Sequence, residues 1–362
     1  MKTVLRMRVV ALLVVFVVVV ASCGGDDGEK LEGLAATIYD GNCADNNAGS
    51  VTVYSGRSEN LIKPVLDAFA CESGISIQVR WGSSTDLALL IDEEGDRTEA
   101  DVYISRSPGP VGFLESKGLL TIMDNSVLDL VDESFRGDKG TWIGFSGRKR
   151  VLVHNTETVP AFELPSSVFE LTDPMWNGRV AIPATNGSFV DWFTVFRDQY
   201  GNDVATQWLA DMVDNDARYY SNNVAIVEAV ARGEIDMGLV NHYYNYRLAS
   251  DAEASGQAHN AANYDLDDQD IGSLLIITAA TMTSNVDDKE AAQSLIAYLL
   301  SPSAQSYFTR HTFEYPLADG VKSNSALVPL TALSIGSVDF DALGGGFEVT
   351  EAIIQRSGIL SQ

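Results

Sequence analysis

The stretch Gly238-Leu239-Val240-Asn241-His242-Tyr243-Tyr244-Asn245-Tyr246-Arg247 decides how the rest of the chain is read. A helix-like segment ends at Arg232-Gly233, and the apolar run from Ile235 to Val240 reads as a buried strand. The pattern places an asparagine and two adjacent tyrosines at the carboxyl end of that strand. If the strand continues, His242 and Tyr243 point to opposite faces. In open α/β sheets the carboxyl end of the strands is where ligands bind.

Working outward, Val51 to Tyr54, Ile75 to Val79 and Ala100 to Ile104 read as short strands. They alternate with helical spacing over Leu61 to Cys71 and Thr85 to Glu93. Strands alternating with helices predict an α/β fold whose sheets are mainly parallel. Roughly 310 residues follow the first 50, enough for two lobes with separate cores. The expected division is residues 50–150 with 272–324 for the first lobe, and 151–271 with 325–362 for the second. Ser146 to Asn155 would leave the first lobe and Ile271 to Thr278 would return to it. No glycine-rich phosphate or dinucleotide loop lies at any strand-to-helix turn.

Residues 1–22 carry Lys2, Arg6 and Arg8, an apolar run from Val9 to Val20, and then Ala21-Ser22-Cys23. That is the layout of an export signal. Val20-Ala21-Ser22-Cys23 resembles a lipobox, so Cys23 is the expected lipidation site and a lipid the expected membrane anchor. No later stretch reaches the roughly 20 apolar residues that span a bilayer. Small polar residues from Cys23 to Gly49 read as a flexible tether. Cys43 and Cys71 are the other cysteines. In an exported chain such a pair is expected to form a disulfide.

The formal charge is −26, and it becomes −29 once the cations Lys2, Arg6 and Arg8 leave with the signal. A phosphate backbone needs basic stripes, so nucleic acid is excluded as a partner. The net charge itself is read as a solubility feature.

Two neighbouring phenols have a specific chemistry. A free tyrosine holds its proton to a pKa of about 10. A small trivalent cation displaces that proton and gains a hard anionic oxygen. Paired phenolates therefore suit Fe(III) far better than Zn(II) or Cu(I). His154, His242, His259 and His311 have no short metal-ligand spacing.

Asn241 to Arg247, preceded by Asn222-Asn223-Val224 through Gly233, resembles the signature of periplasmic ferric-ion-binding proteins, the solute receptors of iron ABC importers. Val53 to Glu59, Ser146 to Arg150, and Tyr298 to Pro302 leading to Phe313-Glu314-Tyr315-Pro316 resemble the same family, so the likeness runs from about residue 50 to at least 320. It implies a two-lobed fold of the type II periplasmic-binding-protein kind, each lobe a mainly parallel sheet flanked by helices and joined by hinge strands. It also implies Fe(III) as cargo, with carbonate or phosphate as a synergistic anion. Delivery would be to a permease, by a monomer facing the periplasm or extracellular space.

Carried over block by block, the metal ligands are Tyr243 and Tyr244. The anion-binding groups are Asn186, Gly187 and Ser188 at one helix start, Asn223 at the next, Asn241, and the cations Arg148 and Arg150. The first lobe departs from the family pattern. Ser58 stands where some members have histidine, Arg106 where some have glutamate, and Ser188 near the position of a third tyrosine. Glu59 is then the first-lobe candidate ligand.

The alternative within the same fold is a receptor for a phosphonate, thiamine, a sugar or a polyamine, with the tyrosines stacking on that solute. An enzyme is not expected: Gly144-Phe145-Ser146-Gly147 lacks the second half of a nucleophile elbow, and no His/Cys metal-hydrolase motif is present.

Overall fold

The computed structural model describes residues 29–267, 269–330 and 346–362. The chain opens with β1 (Ser50–Ser55), α1 (Glu59–Ser73), β2 (Ser76–Trp81), α2 (Ser84–Glu94), β3 (Val102–Ser105), α3 (Pro108–Ser116), β4 (Leu120–Thr121) and α4 (Asn125–Leu128). The long strand β5 (Trp142–Asn155) then leads to β6 (Val180–Ile182), α5 (Gly187–Tyr200), α6 (Asn202–Asp214), β7 (Arg218–Tyr219), α7 (Asn223–Ala231), β8 (Met237–Asn241), α8 (His242–Ala254) and β9 (Ala261–Tyr264). A second long strand, β10 (Leu275–Thr283), returns to α9 (Lys289–Leu299), α10 (Pro302–Tyr307), β11 (Tyr315–Pro316) and finally α11 (Phe347–Ser357).

The strand order is β2-β1-β3-β10-β5-β8-β6-β7. Two parallel trios, β2-β1-β3 and β8-β6-β7, flank the antiparallel pair β10 and β5. The first half of β5 pairs with β10 and β11, and its second half pairs with β8 and β9. One strand thus belongs to both halves. Every residue of β5 and of β10 is buried, which accounts for runs without strict alternation.

Each trio has its own core. The first gathers Val51, Val53, Ile62, Val65, Leu66, Val102, Ile104, Leu295 and Ile296 around β1, β3, α1 and α9. In the second, Phe189, Trp192, Phe193 and Phe196 form one fully buried stripe of α5, the last three packed on Trp208 of α6. Complete burial of each such side chain stabilises by about 1.5–3 kcal/mol. The other face of the second sheet is covered by α7 through Ile226, Val227 and Val230, and by α8 through Tyr244 and Leu248. Phe347, Ile353 and Ile354 of α11 pack in the second core, whereas Leu327 packs in the first.

Residues 29–49 correct the expectation of a flexible tether. Ala35 and Ile38 are buried, Leu31 packs against the first core, and Ala44 N–H donates to Cys71 O at 2.7 Å. A disulfide joins Cys43 to Cys71 across 28 residues. Three apolar side chains among polar ones are enough to dock so short a segment once a covalent bond holds it against α1. Cys23 lies outside the described residues. No helix among the described residues is long and apolar enough to cross a membrane.

Candidate metal and anion site

The tyrosine pair sits at a strand-to-helix junction, which corrects the extended reading. Asn241 is the last residue of β8 and the N-cap of α8, with φ −82° and ψ 138°, and the helix starts at His242. Had the strand continued, Tyr243 and Tyr244 would point to opposite faces. A helical step instead sends both phenols to one side, with ring centroids 4.1 Å apart and planes 30° from parallel. Free N–H groups of the first helical turn, with the dipole behind them, favour negative charge there.

His242 is turned away into the protein. Its Nδ1 accepts from Lys149 N–H at 3.0 Å, its Nε2 lies 2.7 Å from Phe313 O, and its ring stacks on Tyr315. It anchors α8 to the hinge strand and to the first lobe at once. Burial holds its pKa down to about 4.

Tyr243 is buried and Tyr244 half-buried. Burial pushes the Tyr243 hydroxyl well above the ordinary phenol range, neighbouring Tyr244 adds to this, and Arg148 pulls the other way. The phenol therefore keeps its proton until a stronger electrophile replaces it, as a highly charged metal ion does. Around the pair stand Arg57 and Glu314, groups that the sequence reading did not single out. Arg57 Nη2 lies 2.7 Å from Glu314 Oε1, with both side chains out of water.

Arg148 and Arg150 alternate with Lys149 along β5, so the two arginines share one face and the lysine takes the other. Lys149 pairs with Asp265 at 2.8 Å. Arg150 Nη2 donates to Ser188 O, and its guanidinium lies over Trp192. Both arginines are almost completely buried, and burial lowers the pKa of each, that of Arg150 to about 9. Nε and Nη2 of Arg148, and Nε and Nη1 of Arg150, have no hydrogen-bond partner among the described residues.

The amide groups predicted for an anion come together at the carboxyl ends of β6 and β8. Asn186 caps α5 by accepting from Ser188 N–H at 3.1 Å and Ser188 Oγ at 2.8 Å. The N-cap of α7 is Asn222, so Asn223 is free to reach inward. Asn223 Nδ2 donates to Asn186 Oδ1, and Asn223 Oδ1 accepts from Asn241 N–H. Arg150 and Asn241 face each other across β5 and β8. The Asn241 side chain is fully buried, yet neither its Nδ2 nor its Oδ1 has a partner among the described residues. Orphaned donors from two arginines and an amide, beside a helix N-terminus, have the chemistry that an oxyanion satisfies.

Glu59 is not brought to this site. It stands at the first position of α1, one turn before exposed Lys63, while Leu61, Ile62, Val65 and Leu66 are buried. There it is exposed and lines a shallow outer groove with Glu32 and Asp67. Asp191 of α5 was missed because it interrupts an aromatic stripe. It is buried next to Arg106, Arg148 and Ser107, and burial raises its carboxyl pKa against the pull of those arginines.

Two sheets joined by paired hinge strands, with polar groups of both halves converging where they meet, define a two-lobed receptor of the type II periplasmic-binding-protein kind. A family model described as bacterial extracellular solute-binding protein matches residues 98–340. The chain belongs to that family. It is similar to the major ferric iron-binding protein of Neisseria meningitidis serogroup A, 30% identical over 294 residues that cover 80% of this chain and 87% of that one. The Fe(3+)-binding periplasmic protein of Serratia marcescens is 28% identical over 290 residues, 80% of this chain and 85% of that one. Among solved structures, iron-bound HitA from Pseudomonas aeruginosa superposes with a TM-score of 0.77 at 30% identity, over 85% of this chain and 99% of that one.

Proposed function

We propose that this chain is the extracytoplasmic receptor of an ABC importer for Fe(III), and that it works as a monomer handing its cargo to a membrane permease. Tyr243 and Tyr244 supply two phenolate ligands. Asn186, Gly187, Ser188, Asn223, Asn241, Arg148 and Arg150 hold a small anion, carbonate or phosphate, that completes the metal's coordination. Glu59 is left out of the ligand set because α1 carries it on an outer face. The observation that carries the reading is the Tyr243–Tyr244 pair, with ring centroids 4.1 Å apart at a helix start beside buried arginines with unused donors. The names of the relatives support the choice of iron.

The first lobe is taken as residues 50–150 with 272–330, because Leu327 and Leu330 pack with its core, and the second as 151–271 with 346–362, closing about β5 and β10. Hinge closure around a ligand is a known motion of such receptors. Cys23 would carry a lipid that keeps the protein at the cell surface or in the periplasm. No catalytic step is assigned.

Equilibrium dialysis against ferric nitrilotriacetate, Fe(II), Zn(II), a phosphonate, thiamine and spermidine tests the assignment. One Fe(III) per chain, with the others retained weakly or not at all, supports it. Tight retention of an organic solute with no preference for Fe(III) would replace it with the broader receptor reading.

A further inference from the structure

Arg106, at the end of β3 and outside the hinge strands, reaches the start of α5 in the second lobe. It follows β3 directly, and its backbone N–H donates to Ser84 Oγ at 3.0 Å, which fixes its root. Its guanidinium crosses to the second lobe and lies against Gly187, the first residue of α5, where an added Cβ would collide with it. Glycine at this position leaves room for the cation. Its Nε is buried with no partner among the described residues. Asp191, one turn further along α5, is the nearby carboxylate. Next to this seat, buried Arg150 and Asn241 also hold unused polar atoms.

The first lobe offers little to the metal itself. Ser58 and Glu59 are exposed, and Glu314 is engaged by Arg57. Among the described residues no cluster of three or more His, Cys, Asp or Glu side chains could hold a metal ion. A cation cannot bind Fe(III), but it can bind the anion that accompanies it.

We infer that Arg106 is the residue through which the first lobe grips the anion, so that lobe closure in this chain answers to a small, multiply charged oxyanion and not to direct metal ligation from the first lobe. The inference rests on the reading of the α5 start as an anion seat. A carboxylate-rich or phosphate anion suits it, because guanidinium forks bond such oxygens in pairs and Arg106, Arg148 and Arg150 present their charge from two sides. Asp191 feels the Arg106 charge from one turn along α5, and the guanidinium already stands at the helix start where the anion would meet it.

The test uses the full chain freed of metal and anion, with citrate, phosphate and bicarbonate as separate probes. Calorimetry without iron reads anion affinity, and small-angle scattering reads closure. Arg106→Gln is expected to weaken the best anion by about tenfold or more, the loss typical of a charge-assisted hydrogen bond. It should also abolish the anion-induced fall in radius of gyration. Gly187→Ala, which displaces the guanidinium while leaving its charge, should weaken the same anion in the same direction. The inference is overturned if both variants bind and close as the parent does, if the parent binds none of the three anions, or if it closes on Fe(III) in anion-free buffer. Arg106-dependent closure without ferric binding would sink the iron reading and leave this one standing. Ferric binding with anion affinity indifferent to Arg106 would do the reverse.

Discussion

Arg57 Nη2 and Glu314 Oε1 lie 2.7 Å apart with both side chains sealed from water, although 257 residues separate them in the chain. The pair joins the turn after β1 to the segment before β11 and stands beside the phenols of Tyr243 and Tyr244. Burial disfavours the Arg57 charge, but Glu314 and the two tyrosines more than offset this and hold its pKa above the ordinary value. Removing one partner leaves the other buried and uncompensated, which costs about 3–5 kcal/mol. Arg57→Ala and Glu314→Ala should each lower stability by that order in urea unfolding. The double variant Arg57→Met with Glu314→Leu should recover much of the loss, and equal additive losses would show that the pair is not coupled.

Asn241 is predicted to trade stability for binding. Its side chain is fully buried with both polar atoms unpartnered among the described residues. Such a group costs about 1–3 kcal/mol. Asn241→Ala should therefore leave the metal-free protein as stable as the parent or more so, while lowering anion-supported iron affinity about tenfold. A destabilised variant with unchanged affinity would make Asn241 a structural residue only.

Acid should loosen the protein through His242. Its pKa is depressed from 6.5 to about 4 in the fold, with burial as the main cause. The unfolded chain takes up a proton that the folded chain refuses, so this contribution is fully present above pH 6.5 and is lost as pH falls through about 4. The shift corresponds to about 3 kcal/mol. Denaturant unfolding of the metal-free protein across pH 7 to 4 should show that decline. His242→Asn should flatten it, and an identical pH dependence in the variant would remove His242 as the cause.

The sequence already carried the elements that position the site, because each is coded locally. The apolar run before Asn241, the aromatic stripe of α5 and the alternation of Arg148, Lys149 and Arg150 can all be read from a few consecutive residues. What stayed hidden depends on distant contacts. Nothing local shows that helix geometry begins at His242, since Tyr-Tyr-Asn-Tyr suits a strand as well. Arg57 and Glu314 lay inside blocks singled out for the family likeness, but their pairing needs the fold. Asp191 was masked by its aromatic neighbours, and Glu59 was placed by proximity in sequence when only the face of α1 could decide.

The docking of residues 29–49 gives a further check. The Cys43–Cys71 bridge closes a loop of 28 residues, worth about 3–4 kcal/mol by chain entropy. Replacing both cysteines by serine should lower stability by that order and open the segment before Gly49 to protease, with the tyrosine site intact. Resistance equal to the parent's would mean that Ala35 and Ile38 hold the segment without the bridge.

The most direct measurement is the visible spectrum on adding ferric salt and a synergistic anion to the metal-free protein. Two phenolates on one Fe(III) give a red-orange charge-transfer band, and the proposed site predicts that band at one iron per chain. Tyr243→Phe and Tyr244→Phe should each strip most of it while the fold is kept. A colourless parent protein, or a band that survives in both variants, would contradict iron capture by this tyrosine pair.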